Sequence, residues 1–147
     1  MTVRDLLNHK PRTIVSVEPT ATTAAAARLL MDEGVGGLPV VDDDGTLVGF
    51  VSERDIVRRV DGKEPGIREA PVTSIMRRPA PVCAADDPVR TVMARMTRER
   101  VRHLVVVDGD HLLGVISVGD IVKQRLEQLE TEAGVLRDYV AGQRAKR

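Results

Sequence analysis

The sequence predicts a mixed α/β protein built from two similar halves, and three observations support this fold class. The segment from Gly36 to Val57 aligns with the segment from Arg102 to Val122. Each segment holds two short apolar runs around a turn rich in Asp and Gly, which is the pattern of a β-hairpin. Apolar residues at helical spacing precede and follow each hairpin. We therefore expect two β-α-β-β-α repeats, packed about a pseudo-two-fold axis, with an extended C-terminal helix.

The duplication covers most of the chain. Upstream of the hairpins, Val3–Leu7 corresponds to Val72–Met76. Between the two copies lies a stretch that is rich in Gly and Pro, which is typical of a linker. We accordingly expect a first repeat, a linker, a second repeat, and a helical extension with a tail, at residues 1–62, 63–71, 72–130 and 131–147.

The elements of the first repeat follow from its caps and turns. A short opening helix is expected over Val3–Leu7, followed by an extended segment with a brief strand at Val15–Val17. Thr20 or Thr22 is predicted to cap an Ala-rich helix, and Gly34 is predicted to end it. A hairpin and a further helix complete the repeat.

The second repeat has the same order of elements. A short opening helix is expected over Val72–Met76. Asp87 is predicted as the N-cap of the next helix and Pro88 as its first residue. The final helix of each repeat is expected to begin near Ser52 and near Ser117.

The C-terminal extension carries an apolar seam with the spacing of a coiled coil. Its members follow one another in steps of four and three residues, and they are Val122, Leu126, Leu129, Ala133, Leu136 and Val140. Such a stripe is narrower than the face of a helix that packs within a globular domain. Two interpretations stay open at this point: the helix lies back on its own module, or the seam forms a homodimer contact.

Composition and charge exclude several classes of function. Lys plus Arg and Asp plus Glu each number 22, so no overall basic field indicates a nucleic acid or a membrane surface as partner. No apolar run approaches the ~20 residues of a membrane span, and the N-terminal residues lack the apolar stretch of a signal peptide. Cys83 is the single cysteine, and its apolar surroundings predict a buried, unreactive thiol. We expect a cytoplasmic protein.

The sequence contains no recognisable catalytic or metal-binding constellation. His9, His103 and His111 are scattered through unrelated segments, and no Cys and His residues have the spacing of a metal site. Glycine-rich phosphate loops of the Walker or Rossmann type are also absent. An independent enzymatic activity is therefore not expected.

One chemical pattern occurs twice, Gly-apolar-apolar-Ser-x-x-Asp, and it ends at Asp55 and at Asp120. A Ser at the start of a helix lies beside unpaired backbone N–H groups that can hold an anion. An Asp in the first helical turn can accept hydrogen bonds from both hydroxyls of a ribose. The structural alternative is a plain helix cap, with Ser as N-cap and Asp three residues later. Recurrence in both copies favours a site for a ribose phosphate.

With this duplicated pattern the chain resembles the CBS domain, a unit found in tandem in the regulatory region of cystathionine β-synthase. The match rests on Gly36–Asp42 with Leu47–Ile56, and on Arg102–Asp108 with Leu112–Ile121. The family pairs two such units into a module with two clefts that bind adenosine compounds. The resemblance implies a non-enzymatic energy or metabolite sensor that binds AMP, ADP, ATP or NAD, with S-adenosylmethionine as another family ligand and no obligatory cofactor.

The resemblance also implies the residues of the two clefts. Asp120 and Ser117 would contact the ribose and phosphate in one cleft, and Asp55 and Ser52 would do so in the other. Other residues of both repeats would complete the two sites through their backbone groups or side chains. They are Thr13, Val15, Val35, Arg54, Ala80, Val82, Val101, Arg102, His103 and Gly119.

The two implied clefts differ in basic residues. Arg102 and His103 of the second copy correspond to Gly36 and Gly37 of the first. Because a guanidinium matches a phosphate with two hydrogen bonds, we assign this basic pair to the Asp120 site and expect that site to bind phosphate more tightly. The Asp55 site is expected to be weaker or empty.

A second hypothesis is an interaction scaffold that binds no small molecule and dimerises through the apolar seam. The matched pair Asp55 and Asp120 favours the sensor, because a scaffold has no need of two acidic diol acceptors at equivalent places. In either case the chain would act on an effector protein that the sequence does not identify.

Overall fold

The computed structural model describes residues 1–145, which form two repeats of helices and small sheets. A 3₁₀ turn at Val72–Ser74 opens the second repeat. The remaining elements are, in chain order, α1 (Val3–Asn8), α2 (Thr23–Glu33), β1 (Gly37–Val41), β2 (Leu47–Ser52), α3 (Glu53–Asp61), β3 (Val82–Ala84), α4 (Val89–Glu99), β4 (His103–Asp108), β5 (His111–Ser117) and α5 (Val118–Ala145).

Matching strand registers confirm that the halves are copies of one unit. β1 pairs antiparallel with β2, with Gly37 opposite Ser52. β4 pairs antiparallel with β5, with His103 opposite Ser117, and β3 adds to β4 in parallel. Each hairpin also has a bulge at the equivalent position before its turn. The predicted fold class is therefore confirmed.

The first strand of the first repeat is shorter than predicted. The segment Val15–Val17 makes only a single bridge, between Val17 and Val40. In the second repeat the backbone N–H of Val105 donates to the carbonyl of Pro81 at 2.8 Å, and this bond helps to extend β3 along β4. The equivalent residue of β1 is Pro39, which has no N–H to donate.

Two predicted helix boundaries also differ in the structure. The cap predicted at Asp87 is wrong: α4 has Pro88 as its N-cap, and the Asp87 carboxylate accepts a hydrogen bond from the Ala84 N–H at 2.9 Å instead. The opening helix predicted at Val72–Met76 is a single 3₁₀ turn. In the first repeat, by contrast, Thr22 caps α2 and Gly34 ends it with a φ of 65°.

Each repeat completes the core of the other. Val3 and Leu6 of α1 lie in the core of the second repeat, with 0% and 2% of their surface exposed. Val72 and Ile75, which open the second repeat, lie in the core of the first. Burying apolar side chains of this size stabilises a protein by about 1.5–3 kcal/mol each. The exchanged segments therefore join the halves into one packed unit.

The glycine of the duplicated pattern makes room for the exchanged segment. A Cβ atom at Gly49 would overlap the Met76 sulfur and lie 2.9 Å from the carbonyl oxygen of Arg77. At Gly114, a Cβ atom would lie 2.8 Å from Cδ2 of Leu7. Because the backbone of the exchanged segment crosses β2 at Gly49, a side chain there would push the halves apart, whereas at Gly114 only the tip of the Leu7 side chain would have to move.

The apolar seam of α5 faces away from the module. Ile121 at the start of this helix is buried, but the large seam residues beyond it are between 41% and 63% exposed, and they are Val122, Leu126, Leu129, Leu136 and Val140. The interpretation that the seam lies back on its own module is therefore wrong. The part of the predicted tail beyond residue 145 lies outside the described residues.

Replacing Gly49 with Ala is expected to lower the free energy of unfolding by about 1–3 kcal/mol, because the added methyl group meets backbone that cannot move cheaply. Gly134 in α5 provides the control, since a Cβ atom there would have no neighbour within 4 Å. Gly134→Ala should raise the stability by up to about 1 kcal/mol, as expected for a helix interior. Urea denaturation measures both changes, and a neutral Gly49→Ala would contradict the close crossing.

Candidate functional site

A cleft of about 800 Å³ lies between the two repeats on the side of Asp120. The end of α1 and the following segment form one wall, the end of α2 forms a second, and the start of α5 with β5 forms the third. Residues named from the sequence that line it are Thr13, Val15, Val35, His103, Ser117 and Asp120. The structure thus brings together six residues that are far apart in the chain.

Asp120 is held in place by the start of its own helix. Its Oδ2 atom accepts a hydrogen bond from the Ser117 N–H at 2.8 Å, and its own N–H donates to the Ser117 hydroxyl at 3.1 Å. Ser52 and Asp55 make the same two contacts, at 3.0 and 3.2 Å. Both Ser-x-x-Asp patterns are therefore helix caps, and capping alone does not distinguish the two clefts.

Lys10 provides the counter-charge for Asp120. Its ammonium group donates to Oδ2 of Asp120 and to the carbonyl of Val115, both at 2.7 Å. Among residues 1–145, no group donates a hydrogen bond to the other carboxylate oxygen, Oδ1 of Asp120. The Asp120 side chain is 25% exposed. One oxygen is thus fixed by the protein, and the second is available to a ligand.

The equivalent carboxylate in the first repeat is more enclosed. The Asp55 side chain is only 11% exposed, and the guanidinium of Arg77 lies 3.7 Å from its Oδ1. Its Oδ2 also accepts a hydrogen bond from the Ser52 hydroxyl at 2.8 Å. Neither Asp55 nor Ser52 lines the Asp120 cleft or the two smaller cavities beside α5.

An aromatic side chain makes the two halves of the module unequal. The ring of Phe50 is 2% exposed and lies against His103, with ring centroids 5.5 Å apart. Its tip occupies the space that a Cβ atom at Gly37 would need. The residue at the equivalent position in the Asp120 cleft is the smaller Val115. The two clefts of this pseudo-symmetric module are therefore unequal in shape.

Arg102 was assigned to the Asp120 site, and the structure places it elsewhere. With Arg54 and Val101 it lines a separate groove of about 340 Å³, which contains apolar side chains of α4 and α5. The reason is strand geometry: successive side chains point to opposite faces, so Arg102 and His103 cannot both face one cleft. Only His103 does.

Three further residues of the predicted sites lie outside the Asp120 cleft. Ala80 and Val82 are not part of its wall, and they do not line the two smaller cavities beside α5. Gly119 is close to the cleft, because a Cβ atom there would lie 3.5 Å from the Ser117 hydroxyl, but it does not form part of the wall.

The structure adds cleft residues that the sequence reasoning missed. Arg4, Lys10 and Arg12 supply positive charge, and Glu33 joins Asp120 as the acidic contribution. A signal for Lys10 was present, since Lys10-Pro11 in the first repeat resembles Arg78-Pro79 in the second. This similarity could not assign Lys10 to the Asp120 cleft, because the sequence does not show that the opening segment crosses to the other repeat.

Burial shifts the pKa of two side chains, those of His103 and Cys83, toward the uncharged form. Burial lowers the pKa of His103, and the ammonium of Lys10 lowers it further, against the opposing effect of Asp120 and Glu53. Burial raises the pKa of the Cys83 thiol to about 11, and the carboxylate of Asp87 adds to this shift. The thiol is 4% exposed, as the sequence predicted for a core residue.

Two further kinds of feature are absent from residues 1–145. No group of three or more His, Cys, Asp and Glu side chains is arranged to hold a metal ion. No helix has the length and apolar character that a membrane crossing requires.

Solved structures and curated relatives agree with this architecture. A CBS-domain-containing protein from Agrobacterium tumefaciens is 35% identical, with a TM-score of 0.80 over 84% of this chain and 92% of that chain. A CBS domain protein from Pyrobaculum aerophilum, solved in complex with AMP, is 31% identical, with a TM-score of 0.76 over 90% of this chain and 99% of that one.

A curated relative shows the same unit inside a larger enzyme. Inosine-5'-monophosphate dehydrogenase of Mycobacterium tuberculosis is 35% identical over 121 residues, which is 80% of this chain but 22% of the length of that enzyme. The family model of the CBS domain matches this chain twice, over residues 2–62 and 72–127. The chain therefore belongs to the CBS-domain family and contains a tandem pair of these domains.

Proposed function

We propose that this chain is a non-enzymatic regulatory module that binds an adenine nucleotide, namely AMP, ADP, ATP or NAD, in the Asp120 cleft. The observation that carries this proposal is the Asp120 carboxylate, which lines a cleft of about 800 Å³ together with three cationic side chains and has one oxygen, Oδ1, that accepts no hydrogen bond within residues 1–145. The AMP found with the Pyrobaculum relative supports the class of ligand.

The ribose is the part of the ligand that Asp120 recognises. Oδ1 accepts a hydrogen bond from a ribose hydroxyl, while Oδ2 keeps its bond to the Ser117 N–H. The other hydroxyl competes with Lys10 for Oδ2. Adenine then packs against the apolar wall near Val15 and Val35, and backbone groups between Thr13 and Val15 meet its edge.

The phosphate is recognised by charge. Arg4, Lys10 and Arg12 line the cleft, against the two carboxylates of Glu33 and Asp120. Once the ribose engages Asp120, the ammonium of Lys10 turns to the phosphate, so one interaction within the protein is replaced by two with the ligand. A charge-assisted hydrogen bond of this kind is about twice as strong as a neutral one.

The residues that line the cleft belong to segments packed on different repeats, and this suggests how a bound nucleotide regulates the module. Lys10 follows α1, which packs into the core of the second repeat, whereas Val35 and Gly36 belong to the first repeat. A nucleotide that contacts Lys10, Val35 and Gly36 bridges the two repeats. It stabilises one relative arrangement of the repeats only to the extent that it binds this arrangement more tightly than the alternative. We propose that a cytoplasmic effector protein reads this arrangement.

The interaction scaffold remains a second candidate function, and the exposed seam of α5 is the observation that favours it. The two functions are compatible, because the seam and the Asp120 cleft lie on different parts of the molecule.

Asp120→Asn should weaken AMP binding at least tenfold, because the amide cannot accept from the ribose with both of its terminal atoms. Asp55→Asn is the matched control, since Asp55 makes the same helix-capping contacts but does not line the Asp120 cleft. Isothermal titration calorimetry of the full chain gives affinity and stoichiometry. One site per chain is expected, and loss of binding only in Asp55→Asn would refute the assignment.

Lys10→Gln should weaken AMP binding by about tenfold, equivalent to about 1.4 kcal/mol, while adenosine binding changes little. The reason is that the ammonium contacts phosphate, which adenosine lacks. Arg90 is an exposed cation outside the cleft, and Arg90→Gln serves as the control. Equal losses for AMP and adenosine would mean that Lys10 shapes the cleft without binding the phosphate.

Binding of AMP should take up protons through His103. Its pKa is lowered in the free protein, and a phosphate nearby raises it, so affinity should increase as the pH falls toward the usual imidazole value of about 6.5. The ionisation of AMP itself also changes in this range, and His103→Gln corrects for that. Identical pH profiles of affinity for the two proteins would exclude His103 from the phosphate site.

A further inference from the structure

Helix α5 extends beyond the module with an apolar seam that no residue of the described chain covers. The seam positions correspond to a and d of a heptad, in which Leu126, Ala133 and Val140 are a residues and Val122, Leu129 and Leu136 are d residues. Exposed leucines at these positions are side chains that a second helix usually covers. The charges beside the seam indicate which helix this is.

Six charged residues flank the seam at the e and g positions: Lys123 and Arg144 are e residues near its two ends, and the other four lie between them. Arg125 and Glu132 are g residues, and Glu130 and Arg137 are e residues. All four are exposed, and none takes part in an ion pair within residues 1–145. In coiled coils these positions determine partner choice and orientation.

We propose that α5 pairs with α5 of a second copy of this chain as a parallel, in-register coiled coil. In that arrangement a g residue meets the e residue that lies five positions further along the partner helix. Arg125 then faces Glu130 of the partner subunit, and Glu132 faces Arg137 of the partner subunit. Symmetry doubles both contacts, so four attractive pairs flank the apolar layers.

The antiparallel alternative conflicts with the same charges. An antiparallel pair that keeps all six apolar layers brings e residues against e residues and g residues against g residues. Glu130 and Glu132 would then each face their own copy, and Lys123 would face Arg137. Shifting the antiparallel pair by one heptad relieves this repulsion, but it leaves apolar seam residues without a partner layer.

The parallel arrangement is compatible with the position of the module. The module contacts only the first part of α5, where Ile121 is buried and Asp120 meets Lys10. Both modules of a parallel dimer therefore lie at the same end of the coil. The Asp120 clefts of the two copies become neighbours, which gives a single effector protein access to both.

The oligomeric state of the full chain tests the seam. We expect sedimentation equilibrium to show a dimer for the natural sequence and a monomer for Leu129→Glu, with a dissociation constant at least a hundredfold weaker. Thr131→Glu is the control, because Thr131 is equally exposed on the opposite side of α5. A natural chain that stays monomeric, or a Leu129→Glu variant that stays dimeric, would overturn the proposal.

The orientation is tested by disulfide formation. Gln143 occupies the last d position of α5, so Gln143→Cys should form a disulfide between two copies under mild oxidation. Thr131→Cys should not, and the natural chain controls for the buried Cys83. A dimer in which Gln143→Cys fails to cross-link would show that the helices do not run parallel and in register.

Charge exchange tests the flanking pairs. A variant with Arg125→Glu and Arg137→Glu has only acidic residues at the four positions, and one with Glu130→Arg and Glu132→Arg has only basic residues. Each should dimerise poorly alone, and the two should form a heterodimer when mixed, as measured by native mass spectrometry. Homodimers that form as well as the natural one would overturn the proposed pairing.

Discussion

Val3 and Leu6 of the first repeat pack into the core of the second, and Val72 and Ile75 of the second pack into the core of the first. Neither repeat has a complete core without the other, so the exchange holds the two repeats together. The crossing is possible because Gly49 and Gly114 leave no side chain where the opening segments pass. The glycine of the duplicated pattern thus has a structural purpose that is separate from ligand binding.

The same exchange produces the candidate site and makes it unequal. Because α1 packs on the second repeat, the segment behind it carries Lys10 to Asp120. On the other side the equivalent crossing brings Arg77 to Asp55, but there Phe50 takes up space that Val115 leaves open in the Asp120 cleft. The two copies of the sequence pattern therefore have different surroundings: Asp120 lines an open cleft, whereas Asp55 is enclosed beside Arg77.

Local features of this molecule could be read from its sequence, and long-range ones could not. Hairpins, caps such as Thr22 and Ser52, and the helix end at Gly34 depend on neighbouring residues, so the repeat comparison was sufficient for them. Arg102 and His103 are adjacent in the sequence, but side chains alternate along a strand, so the two residues line different cavities. Lys10 was missed because its partner Asp120 lies 110 residues away, and only the exchange of segments brings them together.

In the proposed function the nucleotide occupies the Asp120 cleft and leaves the Asp55 side unoccupied. A titration of the ¹⁵N-labelled chain with AMP, followed by amide NMR shifts, measures this residue by residue. We expect saturating shifts at Thr13, Val35 and Ser117, with little change at Ser52 and Val82. Shifts of equal size around Ser52, or shifts confined to that side, would contradict it.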